Sequence, residues 1–204
     1  MKIIARGAEA ILEKEDGKLI KKRIKKGYRH KAIDDALRKY RTRREGRILN
    51  KLANVINVPK VYDIDEKKSL IVMDFIEGDM LSDCLEKYDK DLKEFIAKEI
   101  GKSIAIMHNL NIIHGDLTTS NMIYKDGKVY FIDFGLAFHS NRIEDKAVDI
   151  YLFLQAIKSK HFLIYEEFSD MVLKEYFKNV IEAEKIKKQL KKVEERRRYK
   201  RKGS

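Results

Sequence analysis

The chain has 204 residues, 44% of them apolar and 38% charged, with a formal net charge of +12. This is enough apolar material for the core of one domain or two small lobes, and it argues against disorder. The single cysteine, Cys84, excludes an internal disulfide and a thiolate-rich zinc site and predicts a reducing, cytoplasmic setting. The opening residues lack the apolar core of a signal peptide, and no apolar run reaches the roughly 20 residues of a membrane helix, so no membrane is expected.

In chain order, Ile3–Ala5 and Ala10–Lys14 read as strands around the small-residue turn Arg6-Gly7-Ala8-Glu9. Asp16-Gly17 marks a tight hairpin, because both residues tolerate positive φ, and Leu19–Ile24 continues as its second strand. From His30 the period becomes helical, with Ile33, Ala36, Leu37, Tyr40, Ile48, Leu49 and Leu52 near helical spacing and a stop before Pro59. Val61–Ile64 and Leu70–Phe75 read as two more strands, and Ile76-Glu77-Gly78 as a connector. Leu92–Leu110 carries a buried helical stripe at Phe95, Ile96, Ile100, Ile104 and Met107. A loop, Asn111–Asn121, leads to a hairpin of Met122–Tyr124 and Val129–Ile132 around Asp126-Gly127. From Glu144 onward the pattern is helical to a basic tail. The order, β-rich and then mostly helical, fits an α+β fold of two lobes hinged near residues 75–79: an N-lobe over 1–75, a C-lobe over 79–184 and a tail over 185–204.

The positive charge is clustered. Residues 21–47 hold 13 Lys/Arg against 3 Asp/Glu, and residues 185–204 hold 11 against 2. Two segments this dense form a polyanion footprint, or else solvated helix faces.

The chemistry concentrates in His114-Gly115-Asp116-Leu117-Thr118-Thr119-Ser120-Asn121, followed after one hairpin by Asp133-Phe134-Gly135. Reaction at a γ-phosphate requires metal ions to neutralise the triphosphate and a carboxylate to orient the attacking oxygen. Magnesium takes oxygen ligands, which an Asp and an Asn amide supply. The short hairpin between Asn121 and Asp133 can bring both to one edge of a cleft, and Asp116, on the same loop as Asn121, can face the attacking group. His114 is expected to pack under the loop and hold its backbone.

This pair of motifs resembles the protein kinase catalytic loop H-R-D-x-x-x-x-N and its D-F-G. The resemblance implies a minimal two-lobed kinase-like fold that binds ATP and Mg2+, with Asp116 as catalytic base and Asn121 and Asp133 as the magnesium ligands. It also implies a lysine on the third strand and a glutamate on the following helix. Strand alternation favours Lys21, leaving Lys22 and Arg23 as surface charges. Glu45 is the acidic residue that the helix offers after Asp35. By the same resemblance Gly7-Ala8-Glu9-Ala10 is an abbreviated phosphate loop, Met73, Asp74 and Phe75 form the strand that meets adenine, and Asp149 braces the catalytic loop.

The details are similar to the small atypical kinase/ATPase family of the KEOPS complex. They are Gly7 to Ala10, Lys21-Lys22-Arg23 followed by Lys26-Gly27-Tyr28-Arg29-His30, Arg41 to Glu45, His114 to Asn121, Glu144 to Asp149 and the basic tail. That family implies partners: a tRNA threonylcarbamoyl-transferase subunit, the other KEOPS subunits, and tRNA through the basic segments, including Arg196–Lys202. It implies ATP hydrolysis in support of tRNA modification, with autophosphorylation or weak serine/threonine kinase activity beside it. Gly115 and Thr118 stand where protein kinases carry arginine and lysine, 13 residues separate Gly135 from Asp149, and no A-P-E follows. No peptide-binding platform is therefore expected. The competing readings are a RIO-like kinase of ribosome assembly, a small-molecule phosphotransferase, and a non-catalytic scaffold that binds nucleotide and tRNA.

Overall fold

Alternation along a short strand decides what the first part of the chain can bury. The computed structural model describes the backbone of residues 2–202 and the side chains of residues 2–196. It divides into two units, Met1–Glu77 with Tyr130–Leu136, and Gly78–Val129 with Ala137–Ser204.

The first unit is built on strands β1 (Lys2–Arg6), β2 (Ala10–Glu15) and β3 (Lys18–Arg23), helix α1 (Lys31–Leu52), and strands β4 (Val61–Asp65) and β5 (Leu70–Asp74). The strands form an antiparallel sheet in the order β1-β2-β3-β5-β4. Asp16 and Gly17 close the β2–β3 hairpin at φ 48° and 73°, the pair of positive values that a two-residue hairpin loop requires. On β3, Lys21 and Arg23 are buried and Lys22 is exposed. Arg23 thus follows Lys21 inward and is not the surface charge expected from the sequence.

Helix α1 ends at Leu52, well short of Pro59. Its buried face is polar in the first half (Asp34, Arg38, Thr42) and apolar in the second (Ile48, Leu49, Leu52). Most of the polar half is hydrogen-bonded, though Asp34 Oδ1 is buried with Arg29 Nη1 at 3.8 Å. Arg38 Nε donates to Asp34 Oδ2 at 2.8 Å, Arg38 Nη1 to Ser69 Oγ at 3.2 Å, and Thr42 Oγ1 to the Arg38 carbonyl at 2.8 Å. The apolar half packs with Ile71 and Met73 in the core of this unit.

The second unit begins with β6 (Asp79–Met80), α2 (Leu81–Cys84), α3 (Lys90–Asn109), β7 (Ile112–Ile113) and β8 (Met122–Lys125). It resumes after β9 (Lys128–Phe131) with β10 (Phe138–His139), α4 (Ile143–Lys160), α5 (Tyr165–Asn179) and α6 (Ala183–Lys202). The segment after Glu144 that read as one helical stretch is thus three helices. Asp89 caps α3, accepting from the Leu92 amide at 2.8 Å. Helix α3 packs on α5, and α4 on α6. Strands β7 and β10 pair antiparallel, as do β6 and β8. Of the basic tail, Arg196 pairs with Glu144 at 2.9 Å, while the side chains from 197 onward, where the sequence placed most of the Arg196–Lys202 contact, lie outside the described residues. Among the described residues no helix is long and apolar enough to cross a membrane.

Candidate active site

In the first unit, four charged side chains meet. Lys21 Nζ donates to Glu45 Oε1 at 2.7 Å and to Asp133 Oδ1 at 2.6 Å. Arg23 Nη2 donates to the other oxygen of Glu45 at 2.5 Å. The Glu45 side chain is 1% exposed, so its charge is tolerable only because each oxygen has a cation. Burial alone would lower the Lys21 pKa, but Glu45 and then Asp133 outweigh it and hold the ammonium above its ordinary value. Burial would likewise raise Asp133. The charge and hydrogen bond of Lys21, the Gly135 amide and Arg23 outweigh that and keep this carboxyl below its ordinary range.

Asp133 sits at φ 57°, a left-handed conformation, which lets Oδ1 also accept from the Gly135 amide at 3.2 Å. Gly135 has no room for a side chain, since a Cβ there would lie 3.0 Å from Asp133 Oδ1 and 3.1 Å from Arg23 Nη2.

The remaining residues expected at a nucleotide are placed as follows. The Gly7 amide donates to the Ala10 carbonyl at 2.9 Å, closing the turn through Ala8 and Glu9. Lys26 Nζ donates to the Ala8 carbonyl, and the Glu9 carboxylate is taken by Arg41 at 2.8 Å. Met73 is buried in the sheet. Asp74 accepts from Tyr62 OH at 2.7 Å, and the Phe75 ring lies 4.1 Å below Lys14 Nζ. The amides of Asp74 and Phe75 donate to the carbonyls of Lys60 and Gly17.

In the second unit the loop from His114 to Asn121 is held from beneath. Asp149, on α4, accepts from the His114 amide at 3.0 Å through Oδ2 and from the Gly115 amide at 2.9 Å through Oδ1. Its Oδ2 also meets His108 Nε2 at 3.2 Å, and His108 Nδ1 meets Tyr176 OH at 2.8 Å. Burial pushes the Tyr176 phenol upward, so it stays protonated and donates to Nδ1. A carboxylate can only accept, so His108 Nε2 is the donor to Asp149. Gly115 takes φ 78°, which turns its amide toward α4. His114 is fully buried, and its Nδ1 accepts from the Asp116 amide at 3.3 Å.

Asp116 is exposed, and Asn121 Nδ2 donates both to its carbonyl at 2.9 Å and to its Oδ2 at 3.0 Å. That leaves the Asn121 amide oxygen free as a ligand. Farther along the loop Thr119 Oγ1 meets His161 Nε2 at 2.8 Å. Arg23, His108 and His161 were not singled out from sequence. The alternation that selects Lys21 also selects Arg23, and His108 directly follows the buried stripe of α3.

Among the described residues no group of three His, Cys, Asp or Glu side chains is placed to hold a metal. The donors present, a half-exposed Asp133 carboxylate and the Asn121 amide oxygen, are hard oxygens. They fit magnesium, which keeps water and phosphate as most of its ligands.

Comparison with known proteins gives the class. The RIO domain family matches residues 2–148. The Rio2 kinase–ADP/Mg2+–phosphoaspartate complex from Chaetomium thermophilum superposes with a TM-score of 0.62 at 13% identity, covering 96% of this chain and 72% of that one. The chain therefore has a protein-kinase-like α+β fold and belongs to the RIO domain family. The KEOPS complex subunit Bud32 of Pyrococcus abyssi is 42% identical over 212 residues, covering 98% of this chain and 96% of that protein. The EKC/KEOPS complex subunit BUD32 of Enterocytozoon bieneusi is 43% identical over 172 residues, covering 79% and 84%. Within the RIO class, the chain belongs to the Bud32 family of KEOPS subunits, the family its motifs resemble. A probable bifunctional tRNA threonylcarbamoyladenosine biosynthesis protein of Methanobrevibacter smithii is 39% identical, and this chain spans 36% of its length.

Proposed function

We propose that the chain is a Mg-ATP-dependent ATPase, a single kinase-like domain that works in the cytoplasm within the KEOPS complex in support of tRNA threonylcarbamoyladenosine modification. The observation that carries this is the buried Lys21 ammonium, paired at 2.7 Å with the buried Glu45 and at 2.6 Å with the half-exposed Asp133. A scaffold has no need to bury an ammonium between two carboxylates, whereas a phosphate-binding lysine needs that orientation. In this reading Lys21 contacts nucleotide phosphate, Glu45 orients it, Asp133 and Asn121 give oxygens to magnesium, and Asp116 positions the attacking water or hydroxyl. Gly7, Ala8, Glu9 and Ala10 lie along the phosphates, and Met73, Asp74 and Phe75 along the base. The relatives' names, a KEOPS subunit and a tRNA threonylcarbamoyladenosine biosynthesis protein, support the transferase subunit, the other KEOPS subunits and tRNA as partners. The ADP/Mg2+ of the Rio2 complex supports the cofactor. Serine/threonine autophosphorylation is the expected side reaction.

The test is phosphate release from Mg-ATP, alone and with the transferase subunit. Release should rise with the partner and vanish in Asp116→Ala, and Asp133→Ala should lose Mg-dependent ATP binding. ATP bound without turnover under every condition would favour the scaffold.

A further inference from the structure

The alternation that buries Lys21 puts Lys22 on the opposite face of β3. There it lines a cavity of about 680 Å3 confined to the first unit. The cavity lies between the outer face of β2 and β3, the first turns of α1 and the β4–β5 turn. In its floor the Arg38 guanidinium is fully engaged. Arg38 gives its guanidinium to Asp34, Asp35 and Ser69, and Ser69 holds a left-handed conformation at φ 55° that returns the turn to α1. Its rim is different. Lys22, Lys25 and Lys67 are exposed and have no ion-pair partner among the described residues. Two further rim lysines are partly answered, Lys68 by Asp65 at 3.6 Å and Lys39 by the nearby Glu66. Of the two lining carboxylates Asp35 is committed to Arg38, which leaves Glu13.

We infer that this cavity is a binding site for RNA phosphates. A concave surface with uncompensated lysines focuses positive potential. Lysine on a flexible stem meets phosphate as a point charge. The rim lacks the aromatic anchors on which protein interfaces depend, and lysine is depleted in such interfaces. The observations therefore favour a nucleic-acid backbone over an acidic protein. The inference deepens the tRNA part of the proposed function and rests on it.

The experiment measures binding of an unmodified tRNA transcript to the full chain by fluorescence anisotropy across a salt series. Each of Lys22→Ala, Lys25→Ala and Lys67→Ala should weaken binding several-fold and reduce the log–log salt slope by about 0.7–0.9 per lost phosphate contact. The triple variant should lose about 2.1–2.7 from the slope by the same relation. Glu13→Gln should tighten binding, Lys102→Ala on α3 should leave the slope unchanged, and ATP turnover should be the same in all. If the wild type binds no tRNA, the RNA part of the proposed function fails and takes this inference with it. If the wild type binds and the triple variant matches it, or Lys102→Ala loses as much, only the cavity inference is overturned. Loss of assembly with the other subunits at unchanged RNA affinity would assign the cavity to an acidic protein and overturn it equally.

Discussion

Arg23 donates to Glu45 at 2.5 Å with both side chains buried, so the helix glutamate is anchored by a cation other than the one proposed to touch nucleotide. Two variants should separate anchoring from chemistry. Arg23→Leu leaves Glu45 Oε2 without its cation in a buried site, which should cost about 3 kcal/mol. Lys21→Met keeps the Arg23–Glu45 pair, so it should lose less stability while losing turnover. Urea unfolding midpoints read the first difference and phosphate release the second. Equal stability of Arg23→Leu and wild type would remove Arg23 from the account.

Asp149→Asn tests the support under the loop. The carboxylate accepts two backbone amides with its two oxygens, and an amide side chain can accept only one while presenting a donor to the other. The expected loss is about 2–3 kcal/mol, the range for hydrogen bonds to a charged group. Turnover should fall with it, because the Gly115 amide next to Asp116 loses its partner. A thermal melt and a phosphate-release assay on the same preparation check both.

Two glycines in helices should answer differently to alanine. A Cβ on Gly101 would stand 2.5 Å from the Val172 carbonyl oxygen and 3.0 Å from the Tyr176 amide, both backbone atoms of α5. Overpacking against backbone should cost about 1–3 kcal/mol, more than the helix gains from alanine. The three atoms nearest a Cβ on Gly46 all belong to the Ile64 side chain, Cδ1 first and then Cγ1 at 2.9 Å. That chain can rotate away, and alanine is favoured over glycine in a helix by about 1 kcal/mol, so Gly46→Ala should be near neutral. Denaturant midpoints in the reverse order would contradict this packing.

The stability of the protein should fall as the pH drops below the ordinary histidine value of 6.5. His161 is buried against Thr119, and burial holds its pKa down, with Glu86 pulling the other way and Lys160 adding to the depression. A depressed histidine stays neutral in the folded chain while the unfolded chain takes up the proton. The contribution is therefore complete above 6.5 and is lost on acidification through the window down to the folded value. Urea midpoints between pH 7.5 and 5.5 should show this slope, and His161→Gln should flatten it.

Much of the first unit was legible because its signals are local. Asp16-Gly17 needs no neighbours to declare a hairpin, and one exposed residue between two inward ones on β3 was enough to choose Lys21 over Lys22. Arg23 was misjudged by residue type. A buried arginine is rare without a partner, and its partner, Glu45, lies on another element. Strands β7 and β10, two residues each and far apart in the chain, carry no local pattern at all. The helix breaks at His161 and Val180 escaped notice because neither Gly nor Pro marks them. The loop from His114 to Asn121 and its brace by Asp149 were readable from the motif. The relay from Asp149 through His108 to Tyr176 was not, since it joins three helices by single side chains.

The match to the RIO domain stops at residue 148, one position before the carboxylate that holds the amides of His114 and Gly115. A protein trimmed at that limit would retain Lys21, Glu45, Asp116, Asn121 and Asp133. It would lose most of α4 and, from the relay beneath the loop, Asp149 and Tyr176. The RIO match thus ends short of residues that shape its own loop, and the later helices are part of what makes the shared motif a shaped loop.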